Sequence, residues 1–205
     1  MLMPSNHKEA IQYLSNIDID WASLIQTVGD CTFKPDNDEP YASLINAVAY
    51  QQLHPKAGDA IMSRLLNLYS NRFPTPLQLI STEFDALRSC GFSGRKIETI
   101  YGIANAAQTG LIPDKKGAEY LSDELLIERL ITLKGIGRWT VEMFLMFTLG
   151  RMDILPVDDF GIREGYKRLK KLEAAPKRKE IAKIGEAWRP HRTVASWYLW
   201  RVPKK

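Results

Sequence analysis

Apolar residues along this chain recur at the three-and-four spacing of amphipathic helices, with no sustained alternation of the kind strands show. Ala10, Ile11, Leu14 and Ile17 make a first stripe, and Trp21, Leu24, Ile25 and Val28 a second. The segment DNDEPYASLINAVAYQQL opens on acidic residues and a proline and then runs apolar, the order of a helix N-terminus. Pro55 is expected to end that helix. Residues 57–69 read as the next, with Ile61, Leu65, Leu66 and Leu68 on one face. Pro74 and Pro76 punctuate the chain. Ser93 is placed to cap a helix carrying Ile97, Ile100, Ile103 and Ala104, and Ser122 to cap another reaching Leu133. Further helices are expected at 138–149, 159–171, 177–187 and 191–200. The fold class is therefore all-α, with about ten short helices and short connections. No repeat, low-complexity tract or long linker is visible.

Composition narrows the class without naming a function. At 205 residues, 45% hydrophobic and 25% charged, the chain suits one compact domain or two small ones sharing a core. The longest apolar run, around MFLMFTLG, falls far short of the roughly 18 residues a membrane helix needs. The opening MLMPSNHKEA lacks the apolar stretch of a secretory signal. Two cysteines, Cys31 and Cys90, cannot build a disulfide framework or a four-thiolate metal site. A cytoplasmic compartment (the nucleoid), or the nucleus in a eukaryote, is expected. Charge is unevenly spread: residues 1–150 hold 13 basic and 17 acidic residues, and residues 151–205 hold 15 and 7. A basic quarter on an acidic body suits a polyanion, though such lysine-rich helix faces are usually just solvated.

Two places hold residues in patterns that chemistry uses. In Leu133-Lys134-Gly135-Ile136-Gly137-Arg138-Trp139-Thr140, two glycines permit a tight turn, and a helix begins at once. Its unpaired amides and positive dipole end would seat a phosphate, with Lys134 and Arg138 alongside. A plain helix–turn–helix connection would look the same. The second place is Asp158-Asp159, after Pro156, where a loop enters a helix. One carboxylate of such a pair caps the helix; the other stays ionised near its amides. The pattern does not say which is which.

LKGIGRWT, followed 22 residues after Gly137 by the second Asp of VDDF, resembles the helix–hairpin–helix DNA glycosylase superfamily. The segments NAVAYQQLHPKA and EAWRPHRTVASWYLWR are similar to those of its 3-methyladenine DNA glycosylase II branch, in its short form without an N-terminal β-rich domain. The resemblance implies two helical lobes with a DNA-binding cleft between them. Residues 1–40 with 150–205 would form the lobe carrying the catalytic Asp region, and residues 41–149 the lobe with the wedge loop and the hairpin.

It also implies a function: a monofunctional glycosylase that hydrolyses the N-glycosidic bond of 3-methyladenine and 7-methylguanine in double-stranded DNA, for base excision repair. Asp159, before Phe160, takes the catalytic place, where a carboxylate stabilises the oxocarbenium-like transition state. Trp139 stands where strand-cutting relatives carry a Schiff-base lysine. Trp139 and Trp200 align with aromatic residues of the base pocket, and Phe160 joins them with packing and pocket roles both open. Leu53 takes the place of the wedge that plugs the stack when a base leaves. His54 would probe the minor groove beside it or simply cap a helix; many relatives have small or aliphatic residues there. Gly135, Gly137, Lys134 and Arg138 would hold phosphate. The implied partner is double-stranded DNA containing alkylated bases, met by a monomer, with no membrane. No organic cofactor and no side-chain metal site are implied, and the four-cysteine iron–sulfur cluster of some members is excluded; hairpin carbonyls could take a monovalent cation. A weakly catalytic protein that binds damage or abasic sites, and a helical module that binds undamaged DNA or a partner, are the rival readings.

Overall fold

The computed structural model describes residues 5–204; residues 1–4, part of the opening read above for a secretory stretch, and residue 205 lie outside the described residues. Regular structure among the described residues is helical. α1 (Ser5–Ser15) and α2 (Ile19–Val28) carry the first two stripes. α3 (Pro40–Tyr50) stops at Tyr50, earlier than expected. Pro55 does not end it but opens α4 (Pro55–Asn67), since proline lacks an amide and fits the first helical position, where none is needed. α5 (Pro76–Ile80) and α6 (Phe84–Ser89) are too short for periodicity to announce. α7 (Gly94–Gln108) is capped by Ser93, and after the short α8 (Lys115–Glu119), α9 (Asp123–Leu130) is capped by Ser122. α10 (Arg138–Phe147), α11 (Phe160–Leu169), α12 (Arg178–Ile184) and α13 (Arg192–Leu199) take the remaining spans. A 3₁₀ turn, Gly185–Trp188, completes the segment expected as one helix at 177–187.

The chain divides into two compact units, Met1–Pro35 with Gly150–Lys205, and Asp36–Leu149. The first boundary falls before the residue 40 expected, because the Asp36 amide donates to the Phe147 carbonyl (2.7 Å) at the end of α10 and so joins the second unit.

The first unit packs around tryptophan and tyrosine. Trp21 of α2 meets Trp188 edge-on, with ring centroids 5.4 Å apart, and both are buried. Buried Tyr198 donates its hydroxyl to the Gly29 carbonyl (2.9 Å). Lys170, just past α11, bridges Asp18 and Asp20 at the start of α2 (2.6 and 2.8 Å). Helix α13 grips the loop of residues 151–159 that leads into α11. Arg192 Nε and Nη2 donate to the two carboxylate oxygens of Asp153 (2.6 and 3.0 Å), and Nη2 also reaches the Asp153 carbonyl. Thr193 adds three more bonds: its amide to the Met152 carbonyl, its hydroxyl to the Arg151 carbonyl, and its oxygen accepting from the Ile154 amide.

The second unit is built on α7, whose Ile97, Ile100, Ile103 and Ala104 are fully buried. It packs chiefly against α3 and α5, while α9, the hairpin and α10 follow as a helical pair that also touches α3.

Arg192 carries the largest share of the loop's polar anchoring. Arg192→Leu should lower the unfolding free energy by about 2 kcal/mol, the worth of hydrogen bonds to a charged group. Urea titration reads this; an unchanged midpoint would mean that Thr193, with Arg189 on the Asp153 carboxylate, holds the loop without it.

Candidate active site

Asp159 is the N-cap of α11: its Oδ1 accepts from the Ile162 amide at 2.9 Å. The same oxygen accepts from Trp200 Nε1, also at 2.9 Å. Both donors are uncharged dipoles, and between them they fix the direction of this oxygen. Asp158 is treated differently, with Arg178 Nε 2.5 Å from its Oδ1, an ion pair rather than a well-directed hydrogen bond. The expectation that one carboxylate caps and the other does the chemistry is therefore corrected. Asp159, placed at the chemistry by resemblance, is itself the cap, and Asp158 carries a cation.

Trp200 reaches Asp159 because two glycines of α11 make room. A Cβ on Gly165 would strike the Leu199 carbonyl, so glycine lets α11 lie against the end of α13. A Cβ on Gly161 would sit 2.9 Å from Trp200 Cδ1 and 3.0 Å from Asp159 Oδ1. Phe160, between them, is 71% exposed, and Trp188 and Trp197 are buried in the core.

In the second unit, the two hairpin glycines serve different ends. Gly135 has φ +86, and a Cβ there would collide with Thr99 of α7. Gly137 is the N-cap of α10; no side chain caps the helix from it, and the space beside its Cα is open. The hairpin cations are already engaged: Lys134 Nζ meets Glu98 Oε2 (2.6 Å) and Arg138 Nε meets the buried Glu142 (2.9 Å).

Between α3 and α4 lies the turn Gln51–His54, with Leu53 39% exposed and Gln52 at φ +56. His54 is the N-cap of α4, its Nδ1 accepting from the Lys56 amide (3.4 Å), so the capping role is the one the structure gives it. The turn is tied twice. Lys96 Nζ donates to the carbonyls of Ala49 (2.9 Å) and Gln51 (3.0 Å), and burial pushes its pKa down. Gln51 Nε2 donates to the Gly135 carbonyl of the hairpin (3.3 Å). Beside the turn is a hollow of about 580 Å³ lined by Ala47, Tyr50, Gln51, Gln52, Trp139 and Met143, a volume ordinary for a small-molecule pocket. Trp139 is 44% exposed there. Tyr50 donates its hydroxyl to Asp59, which raises the phenol's pKa and fixes the ring.

Residues 45–190 match the model of the HhH-GPD superfamily base excision DNA repair protein. The chain belongs to this superfamily. It is 47% identical to DNA-3-methyladenine glycosylase 1 of Schizosaccharomyces pombe, over 94% of this chain and 86% of that protein. It is 40% identical to the alkylbase DNA glycosidase-like protein mag2 of the same yeast, over 100% of this chain and 97% of that one. Its fold superposes on the S. pombe 3-methyladenine DNA glycosylase in complex with abasic DNA with a TM-score of 0.84 at 46% identity, covering 94% of this chain and 95% of that one.

Of the residues singled out in the sequence, Asp159 and Trp200 meet in the first unit. Leu53, Trp139 and the hairpin share the second, where Gln51 joins the turn to Gly135. Tyr50, Met143 and Lys96 escaped the sequence reading. Met143, one helical turn after Trp139, is legible from spacing once Trp139 is chosen; Lys96 is not.

Gly161→Ala sets two effects against each other. Alanine gains up to about 1 kcal/mol of helix propensity, and the misplaced methyl costs about 1–3 kcal/mol. Crowding wins, so net stability should fall and the Trp200 indole proton should lose its protection from hydrogen exchange in this superfamily member. An indole proton as protected as in the wild type would refute the tight fit.

Proposed function

We propose that this protein is a monofunctional DNA glycosylase that hydrolyses the N-glycosidic bond of alkylated purines, 3-methyladenine and 7-methylguanine, in double-stranded DNA, the first step of base excision repair. The observation that carries the reading is Asp159, a carboxylate whose Oδ1 is aimed by the Ile162 amide and the Trp200 indole, in a chain of this superfamily.

Breaking the bond leaves positive charge on the sugar. A carboxylate already aimed at that charge stabilises the oxocarbenium-like transition state without reorganising, and can orient the attacking water. The proton of that water passes to the carboxylate or onward to solvent, and the base leaves on its ring nitrogen. N-alkylated purines carry charge and are poor in electrons, so aromatic faces such as Trp139 attract them, with stacking and cation–π terms of about 1–3 kcal/mol per ring. A tryptophan cannot form a Schiff base, so the strand is left intact at an abasic sugar. Leu53 fills the stack, and the amides at Gly135 and Gly137 take phosphate.

No step of the chemistry calls for an organic cofactor. No cluster of His, Cys, Asp or Glu suited to a metal occurs among the described residues. A monovalent cation at the hairpin would rest on backbone carbonyls, of which Leu133 and Gly135 already accept hydrogen bonds, and its role would be structural. The protein acts as a monomer wherever the DNA lies, nucleoid or nucleus.

A second reading has one observation in its favour: along its whole length the chain aligns with a relative named only as glycosidase-like. Release of free 3-methyladenine and 7-methylguanine from methylated duplex, compared between wild type and Asp159→Asn, separates the two. Asparagine still caps a helix, so folding is kept. Wild type should release both bases, and Asp159→Asn should be slower by about 100- to 1,000-fold with DNA binding retained. No release by either protein, with tight binding to abasic duplex, would establish the damage-binding reading instead.

A further inference from the structure

Helix α3 ends at Tyr50, and the last carbonyls of a helix have no partner within it. Two carbonyls at this end, Ala49 and Gln51, are both met by the ammonium of Lys96, at 2.9 and 3.0 Å. The residue between Gln51 and Leu53, Gln52, sits at φ +56, a left-handed conformation that a residue with a side chain adopts at a cost. The turn therefore has reason to relax if it is not held.

The holder belongs to a part of α7 that also touches the hairpin. Thr99 packs where a Cβ on Gly135 would go, Glu98 pairs with Lys134, and Lys96 starts the same turn of helix. Gln51 closes the ring by donating to the Gly135 carbonyl. One stretch of α7 thus sets both the turn bearing Leu53 and the hairpin bearing the phosphate amides. Burial disfavours the charge on Lys96, and its Nζ is met by two carbonyl oxygens there.

We propose that Lys96 is a positioning residue for base extrusion: it fixes the Leu53 turn in register with the hairpin, so that the wedge enters the stack at the place the phosphate grip dictates. The proposal rests on the reading of Leu53 as the wedge. Lys96 neutralises no phosphate in this role, which sets it apart from the basic residues of the hairpin.

The test is a double-mutant cycle of wild type, Leu53→Ala, Lys96→Met and the pair. Each protein is bound to a duplex carrying a tetrahydrofuran abasic analogue beside 2-aminopurine, whose fluorescence rises when stacking is broken; single-turnover base release is measured in parallel. Each single variant should lower extrusion by on the order of tenfold, and the double variant should match Leu53→Ala, since both act through one side chain. Affinity of Lys96→Met for undamaged duplex, and its salt slope, should equal wild type. Lys96→Arg, which keeps a cation with several donors, should recover most of the loss.

A double variant whose losses multiply towards a hundredfold overturns the proposal and leaves the wedge standing. So does a salt slope in Lys96→Met reduced by about one phosphate contact. Leu53→Ala with undiminished extrusion removes the wedge reading, and the proposal falls with it. Thermal melting checks each fold; should Lys96→Met not fold, Lys96→Gln, uncharged but still a donor, takes its place in the same cycle.

Discussion

The first unit depends on how one carboxylate is pointed, and two hydrogen bonds on Asp159 Oδ1 do the pointing. The Ile162 amide and the Trp200 indole are dipoles that converge on one oxygen and fix its direction. Its neighbour Asp158 meets the Arg178 guanidinium and does not cap α11, which separates two residues that the sequence presents as equals. Around Asp159 the first unit is arranged to keep that geometry. Gly161 leaves room for the indole, Gly165 lets α11 approach α13, and Trp200 stands at the C-cap of α13.

The same helix secures the approach to the site. Arg192 and Thr193, at the start of α13, bind the backbone and side chain of residues 151–154. Trp200, at its other end, binds the last residue of that loop. The loop is thus fastened at both ends to one rigid rod, so that the helix sets the direction of Asp159.

Much of this was legible in the chain. The long helices follow from their periodicity, and Ser93 and Ser122 mark their own caps because the side-chain oxygen to backbone amide bond is local. The short α5 carries a full capping box, Thr75 with Gln78, a signal that spoke where periodicity could not. Pro55 misled because proline can follow one helix and begin another at the same residue. The contacts that distance hides are those between residues remote in sequence: Lys134 with Glu98, Lys96 with the Ala49 carbonyl, Trp200 with Asp159. Spacing says nothing of which charge will find which partner across a folded surface. The resemblance could name Asp159, but only the fold shows what aims it.

The pairing of Lys134 with Glu98 and of Arg138 with Glu142 bears on how the protein would search DNA. A bare lysine that meets phosphate releases a counterion and gains the entropy of its dilution. A lysine that must first leave a carboxylate exchanges one anion for another, and the return is smaller. Lys134 and Glu98 lie in solvent, so the exchange is easy, while Arg138 must part from a buried glutamate. On the proposed function, such a hairpin would grip any duplex lightly and let it go, so that long residence would come from what happens to the base rather than from the backbone. Discrimination between damaged and intact DNA is sharpened when the unspecific part of the affinity is kept low.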